Sequence, residues 1–441
     1  MGIDLNRYRR KLESIEPLKI TGRVRRAGGL VIESDGPPAS VGEICEVHPK
    51  AGSRPILAEV IGFRDKALLS MPVYDVDGIK LGDPIISRKQ HPKVEVGQGL
   101  LGRVVDGNGH PIDDKGPIYA DQRYPLHRPA PGPLKRSAID QPLGTGVRAI
   151  DGLLPVGRGQ RVGIFGGSGV GKSTLLGMMA RYTEAAVTVI ALVGERGREV
   201  NGFIERDLGE EGLKRSVVVV STSDNPPLMR IRAALTATAI AEYFRDQGKD
   251  VLLVMDSVTR VAMAQREIGL AAGEPPSSKG YTPSVFTLLP RVFERAGKLK
   301  KGSITGFYTV LVEGDDMNEP IADAVRGLLD GHIVLSRELA WRNHFPSIAV
   351  LDSVSRLVSD IASEGQIEAA GRLRELLATY TKSEDMINIG AYSKGSNAKI
   401  DQAIARIDHI NYYLRQKFDA EVPRETAVKE LLQLMGKSRK D

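Results

Sequence analysis

Gly166-Gly167-Ser168-Gly169-Val170-Gly171-Lys172-Ser173 follows the apolar run at 161–165 and precedes Thr174-Leu175-Leu176-Gly177-Met178-Met179-Ala180, so a strand, a glycine loop and a helix stand in order. A triphosphate cradle needs that order. The loop must curl its backbone N–H groups around phosphate oxygens, which glycines permit through their dihedrals and close approach, while the helix presents its positive N-terminal end. In such a loop Lys172 reaches the β- and γ-phosphates and the Ser173 hydroxyl ligates Mg²⁺.

Hydrolysis asks for more, because a water must be oriented and the charge on the transferred phosphoryl must be stabilised. Asp256 closes the apolar run 251–254, at the strand end where ligands of parallel sheets gather. It suits a Mg²⁺ carboxylate, or a plain helix N-cap. The run 187–193 ends in Gly194-Glu195-Arg196-Gly197-Arg198-Glu199, a candidate cluster in which Glu195 polarises the water and Arg196 holds it, or a plain exposed turn. Arg356, late in the sheet region, is a candidate arginine finger supplied by a neighbouring molecule, or a surface ion-pair partner. Phe345, before Pro346, is a candidate base platform, or a core aromatic.

The elements that must position these groups follow from patterning. Residues 1–16 read as a short helix carrying Tyr8, Leu12 and Ile15 on one face, a candidate partner-binding element. Over 17–90, short β-like pieces punctuated by glycine and proline predict a small β-barrel. Residues 91–145 carry turn signals such as Asp106-Gly107-Asn108-Gly109 and read as a connector into the next domain. Up to residue 360, β-branched runs with little polar alternation (187–193, 216–220, 251–255, 304–311) alternate with helical patterns, predicting an α/β domain with a mostly parallel, doubly covered sheet. Over 361–441 the strands stop. Ile367, Ala370, Leu373, Leu376 and Leu377 lie at helical spacing, and 400–418 and 425–435 read as further helices of a bundle.

The 441 residues, 41% of them hydrophobic, suffice for about two to four domains. The net charge of +6 is mild, with basic clusters at 7–11, 298–301 and 437–440 that suit solvent, anionic lipid or an acidic partner. The single cysteine, Cys45, forms no internal disulfide and reads as a small buried hydrophobe. No apolar run nears the ~18 residues of a membrane span and no signal-peptide core is visible, so a cytoplasmic protein is expected.

These motifs together resemble the family of flagellar and type III secretion export ATPases, relatives of the catalytic beta subunit of F-type ATP synthase. The resemblance rests on residues 144–151, 166–174, 194–199, Gly280-Tyr281-Thr282-Pro283-Ser284-Val285-Phe286, 313–323, 329–337 and 353–356, and covers nearly the whole chain. It implies a RecA-like P-loop NTPase domain in which Gly166, Gly167, Ser168, Gly169, Val170, Gly171, Lys172, Ser173 and Thr174 bind the nucleotide. Glu195 would be the catalytic carboxylate and Asp256 the Walker B acid, holding Mg²⁺ with Ser173 partly through water. Arg196 and Arg260 match arginines near the phosphates, and Arg356 matches the finger entering the adjacent subunit's site. Phe345 stands where the family carries an aromatic beside adenine; Phe418 matches a second such aromatic, or packs in a helical core.

Relatives differ in what such a ring does. A rotary synthase subunit carries an acidic lever where this chain has Ala391-Tyr392-Ser393-Lys394-Gly395-Ser396-Asn397-Ala398-Lys399. A ring RNA helicase needs basic and aromatic platforms, yet 17–90 holds only Phe63 and Tyr74, so no nucleic acid is expected. A non-catalytic ring subunit would be expected to lack Lys172 or Glu195. What remains is a homohexameric export ATPase, preferred as flagellar, with a virulence injectisome as the alternative. The resemblance implies a stator-like regulatory dimer on the N-terminal helix, a central coiled-coil stalk, chaperone–cargo complexes at the C-terminal helices, an export gate, and peripheral contact with the inner face of the cytoplasmic membrane.

Overall fold

Alternating inward and outward residues build the N-terminal sheet: in β1 (Thr21–Gly28), Gly22 and Val24 are buried between exposed neighbours. The computed structural model describes residues 20–49, 54–74, 78–312, 314 and 316–436. The expected N-terminal helix, the basic clusters at 7–11 and 437–440, and Glu313 and Asp315 lie outside the described residues. With β2 (Val31–Asp35), β3 (Ile44–Val47), β4 (Ile56–Arg64), β5 (Ala67–Pro72) and β6 (Pro84–Ser87), β1 closes a barrel in the order β1-β2-β5-β4-β3-β6. Every neighbouring pair is antiparallel, and closure leaves no open strand edge. Gly22 is obligatory here, since a Cβ would lie 2.1 Å from the Gly36 carbonyl carbon. Cys45 packs fully buried among Val24, Ile32, Val47, Ala58, Val60, Leu68 and Ile85, the hydrophobe's role expected of it.

This barrel belongs to one compact unit, residues up to Pro92 with 226–228 and 267–274; the remainder forms a second. The second unit begins its sheet with β7 (Arg103–Asp106), followed by α1 (Arg148–Leu153), β8 (Arg161–Gly166), α2 (Lys172–Tyr182), β9 (Val187–Val193) and α3 (Gly197–Gly202). Next come β10 (Ser216–Ser221), α4 (Pro227–Asp246), β11 (Asp250–Asp256), α5 (Val258–Ala272) and α6 (Pro283–Phe293). The sheet ends with β12 (Gly297–Lys298), β13 (Ser303–Leu311), α7 (Pro320–Leu328), β14 (Gly331–Val334) and β15 (Val354–Ser355).

The strand order is β15-β14-β8-β13-β11-β9-β10-β7, with β12 beside β13; only β12 and β15 run antiparallel. β9 and β10 are buried at every position, as their uninterrupted apolar character demands of strands covered on both faces. Residues 91–145 are more than a connector: Arg103-Val104-Val105-Asp106 pairs with β10 as the sheet's edge strand. Four residues ahead of a strong turn carry too little periodicity to reveal a strand. The turn itself is as read, with Asp106 Oδ1 accepting from the Asn108 and His110 N–H groups at 2.8 and 2.9 Å.

Three helices complete the unit: α8 (Glu364–Asn388), α9 (Ala398–Leu414) and α10 (Arg424–Met435). Ser363 and Asn397 cap the first two by accepting from the Gln366 and Lys399 N–H groups. Leu373, Ile410, Tyr413 and Leu431 join the same hydrophobic core as Val162, Ile164 and Leu175. The buried stripe of α8 differs from the expected one. Ile367 faces solvent, and Gln366 is buried in its place because its Nε2 donates to the carbonyls of Asp151 and Gly152, at 2.9 and 3.0 Å, at the end of α1. The helix expected over 400–418 stops at Leu414, where Arg415 turns extended.

Candidate active site

β8 runs through the core and delivers Gly166 to the C-terminal edge of the sheet, the edge where β9 and β11 also end. The loop that follows takes left-handed backbone at Gly169 (φ 79°) and Gly171 (φ 83°) before α2 begins at Lys172. At Gly171 a side chain is excluded twice, since an added Cβ would also lie 3.3 Å from the Phe345 ring. Val170 is buried and its carbonyl accepts from Ser347 Oγ at 2.6 Å, which pins the loop while Ser168, Gly169 and Ser173 stay exposed. No side chain caps α2, so its first-turn N–H groups are open to an anion. Thr174 turns its hydroxyl to Asp207 and offers a ligand only its backbone N–H.

Lys172 does not stand alone. Its Nζ lies 2.7 Å from Asp256 Oδ1 with both side chains nearly buried, at 11% and 4% exposure. Asp256 is therefore not the N-cap of α5; the Ser257 hydroxyl lies at that position, 3.4 Å from the Arg260 N–H. On the adjacent strand, Thr309 Oγ1 donates to the same Asp256 oxygen at 2.6 Å.

Glu195 emerges from β9 after Gly194, whose positive φ of 74° brings the backbone under the Arg260 side chain; a Cβ there would sit 2.9 Å from Arg260 Cβ. Arg260 Nε is buried there without a hydrogen-bond partner among the described residues. Burial first, and then the Asp256 charge, push the Glu195 carboxyl up to about 7; Lys172 opposes the rise and Glu199 adds to it. Glu199 is held below the ordinary carboxylate range, first by its hydrogen bond with Glu195. A half-buried carboxyl poised near neutrality beside a lysine–aspartate pair is suited to handling a water's proton.

Among the described residues no three His, Cys, Asp or Glu side chains gather closely enough to hold a metal ion. One hydroxyl at Ser173 and one carboxylate at Asp256 fit instead a hard divalent cation that brings its other oxygen ligands on a nucleotide.

Two family models match the chain: the ATP synthase alpha/beta family nucleotide-binding domain over residues 146–355, and the T3SS EscN ATPase C-terminal domain over 362–433. The flagellum-specific ATP synthase of Bacillus subtilis is 54% identical over 432 residues, spanning 96% of this chain and 97% of that one. The chain belongs to the flagellar and type III secretion ATPase family. The type 3 secretion system ATPase of Xanthomonas euvesicatoria is 51% identical over 93% of each chain. Among solved structures, the assembled ATPase EscN of enteropathogenic E. coli superposes with a TM-score of 0.89, at 46% identity over 94% of this chain and 100% of that one. The same protein in complex with its central stalk EscO gives 0.87, at 45% identity over 94% of this chain and 100% of that one.

The remaining family positions divide between the site and the far side of the sheet. Phe345, 40% exposed, lies against Gly171 and is no core residue. Phe418, 55% exposed, sits past the end of α9, which excludes the helical-core alternative. Gln416 joins the two loops: its N–H donates to the Phe345 carbonyl at 3.0 Å. Its Nε2 reaches Gly146 O and Ala420 O at 2.8 and 2.7 Å, and its Oε1 accepts from the Arg148 N–H at 2.8 Å.

Arg196 is not drawn in. It is 79% exposed, and among the described residues its ion-pair partner is Glu199, at 3.8 Å. Arg356 stands at the opposite edge of the sheet: its N–H donates to Asp330 O, and the Asp330 N–H donates to Arg161 O, the first residue of β8. β8 separates that edge from the phosphate loop by about 17 Å, and the Arg356 guanidinium donates to the Arg326 carbonyl at 3.2 Å. Thr309, Ser347 and Gln416 escaped the sequence reading. The signal for Thr309 was a hydroxyl inside an apolar strand; the other two had none, because their partners lie far away in sequence.

No helix among the described residues is long and apolar enough to cross a membrane.

Proposed function

We propose that this chain is the ATPase of a flagellar type III protein-export apparatus, hydrolysing Mg·ATP at sites completed between copies of itself in a homohexameric ring. One observation carries the hydrolytic part: the phosphate-loop lysine touches Asp256, and the Glu195 carboxyl responds to both charges. The export part rests on relatives of full length, the flagellum-specific proteins of Bacillus subtilis and Treponema pallidum at 54% and 52% identity.

In this reading the N–H groups of the loop from Gly166 to Thr174 wrap the phosphates, and Lys172 leaves Asp256 to neutralise the β- and γ-oxygens. Ser173 and Asp256 would hold the Mg²⁺ that arrives with ATP. When bound, that ion offsets the charge gathering on the phosphates. Glu195, once ionised, accepts a hydrogen bond from the attacking water and orients it in line. Arg260, packed across Gly194, and the exposed Arg196 add positive charge near the phosphates. Arg356 comes from the adjacent copy, a role that its place on the far edge of the sheet supports. Phe345 and Phe418 flank the base.

The same reading assigns residues 1–16 to a regulatory stator-like dimer, 17–90 to a barrel domain, 91–360 to the connector and ATPase domain, and 361–441 to helices that receive chaperone–cargo complexes. A central coiled-coil stalk, the export gate and the inner face of the cytoplasmic membrane complete its partners, with the protein itself cytoplasmic. The injectisome is the second reading, favoured by the 51% identity of the Xanthomonas euvesicatoria relative and by the likeness to EscN. Purified Glu195→Gln protein should bind ATP and assemble yet barely turn over, and the same substitution in a flagellated host should abolish secretion of hook and rod proteins. Near-normal hydrolysis refutes the site; loss of hydrolysis with intact flagellar secretion moves the protein to the injectisome.

A further inference from the structure

Thr309 is fully buried on β13, beside the end of β11 where Met255 pairs with Tyr308. Its hydroxyl has one proton and two acceptors within reach, Asp256 Oδ1 at 2.6 Å and the Met255 carbonyl at 3.3 Å. The shorter, charge-assisted bond to the carboxylate takes it. Asp256 Oδ1 thus stands between two donor groups, the Thr309 hydroxyl bonded to it from the neighbouring strand and the Lys172 ammonium paired with it from the phosphate loop. The two donors differ in one respect. Thr309 is fixed in the sheet, whereas Lys172 must leave to serve a phosphate.

We infer that Thr309 is a positioning residue: it keeps Asp256 oriented and hydrogen-bonded when Lys172 departs, and so releases the lysine to the nucleotide. This rests on the hydrolytic reading given above. A carboxylate buried as deeply as Asp256, only 3% exposed, loses its cationic partner at great cost unless another donor remains. With the Thr309 bond in place, the exchange of Asp256 for phosphate leaves one donor on Oδ1 and keeps Oδ2 aimed as before. Without it, Lys172 is held on Asp256 and the carboxylate is free to turn.

Thr309→Val keeps the shape of the side chain and removes the proton; Thr309→Ser restores the proton. The first readout is not turnover: affinity for a fluorescent ATP analogue is titrated in EDTA, where only the chain's own groups act. Thr309→Val should bind roughly tenfold more weakly, with kcat for Mg·ATP lowered and the Mg²⁺ requirement raised, and Thr309→Ser should return all three to within about twofold. Thr309→Ala, measured in parallel, should show the same weakened binding should the valine variant fold poorly. Wild-type affinity in both Thr309→Val and Thr309→Ala overturns the inference, as does a serine variant no better than valine. These outcomes are separable from failure of the hydrolytic reading, which Glu195→Gln tests: an inactive Glu195→Gln beside a normal Thr309→Val removes only the role of Thr309.

Discussion

Lowering the pH from about 8 to about 6 should silence most of the ATPase, and Glu195 sets the size of the effect. Its carboxyl, pushed up to about 7 by burial and by the Asp256 charge, is about nine-tenths ionised one pH unit above that value and about one-tenth a unit below. An ordinary glutamate would be ionised throughout, so kcat/KM for Mg·ATP should fall roughly tenfold on an acid limb centred near neutrality. The nucleotide also titrates, and Glu199→Gln separates the two causes. Glu199 raises the Glu195 carboxyl through a hydrogen bond and through its charge, so its removal should move the limb to lower pH by less than the full displacement. A substrate titration would stay in place.

Stability gives a second readout with a definite sign. A carboxyl raised in the folded state binds its proton more tightly folded than unfolded, so its contribution is present at low pH and is lost as pH rises from 4.5 through about 7. Glu195→Gln, which has no proton to lose, should therefore melt at a higher temperature than the parent at about pH 8 and at a similar one at about pH 5. The full displacement is worth about 3 kcal/mol, and screening at a half-buried group reduces it to ~1–2 kcal/mol. A profile flat from about pH 5.5 to 8, with equal melting of both proteins at alkaline pH, refutes the reasoning.

Gly171→Ala forces a methyl into left-handed backbone and against Phe345, at a cost of about 1–2 kcal/mol, so nucleotide affinity measured by fluorescence titration should drop about tenfold. Glu242→Ala strands Arg295, whose guanidinium is 2% exposed and makes two bonds to Glu242 at 2.9 and 2.8 Å; urea denaturation should show a loss of about 3–5 kcal/mol, and pairing it with Arg295→Met should recover most of that. Mixing Arg356→Ala with Lys172→Ala subunits should restore part of the activity that each lacks alone, as measured by phosphate release; no recovery in rings shown to contain both argues against a site shared between copies.

Much of this architecture was open to a reader of the sequence because the decisive signals are local. The glycine loop between an apolar strand and a helix, and the β-branched runs at 187–193 and 216–220, state their own conformation, and both occur where expected. What stayed hidden depends on partners distant along the chain. Gln366 takes the buried position that Ile367 promised because α1 ends in carbonyls that need donors. Phe418 leaves the helix because Gln416, two residues before it, is bound to Gly146 and Arg148. Arg356 matches a family motif, yet only the strand order shows which edge of the sheet it occupies.

Gln416 bonds through its backbone N–H to Phe345 and through its side-chain amide to Gly146, Arg148 and Ala420, and this ties together parts that the sequence sets far apart. The end of α9 has no freedom to fray or tilt without breaking bonds to Gly146, Arg148 and Phe345 together. Such a knot opens as one unit, so the amides of Arg148 and Gln416 should exchange with deuterium in step. The chain leaving the C-terminal helices is thereby tied to the backbone of Phe345, the residue whose ring rests on Gly171.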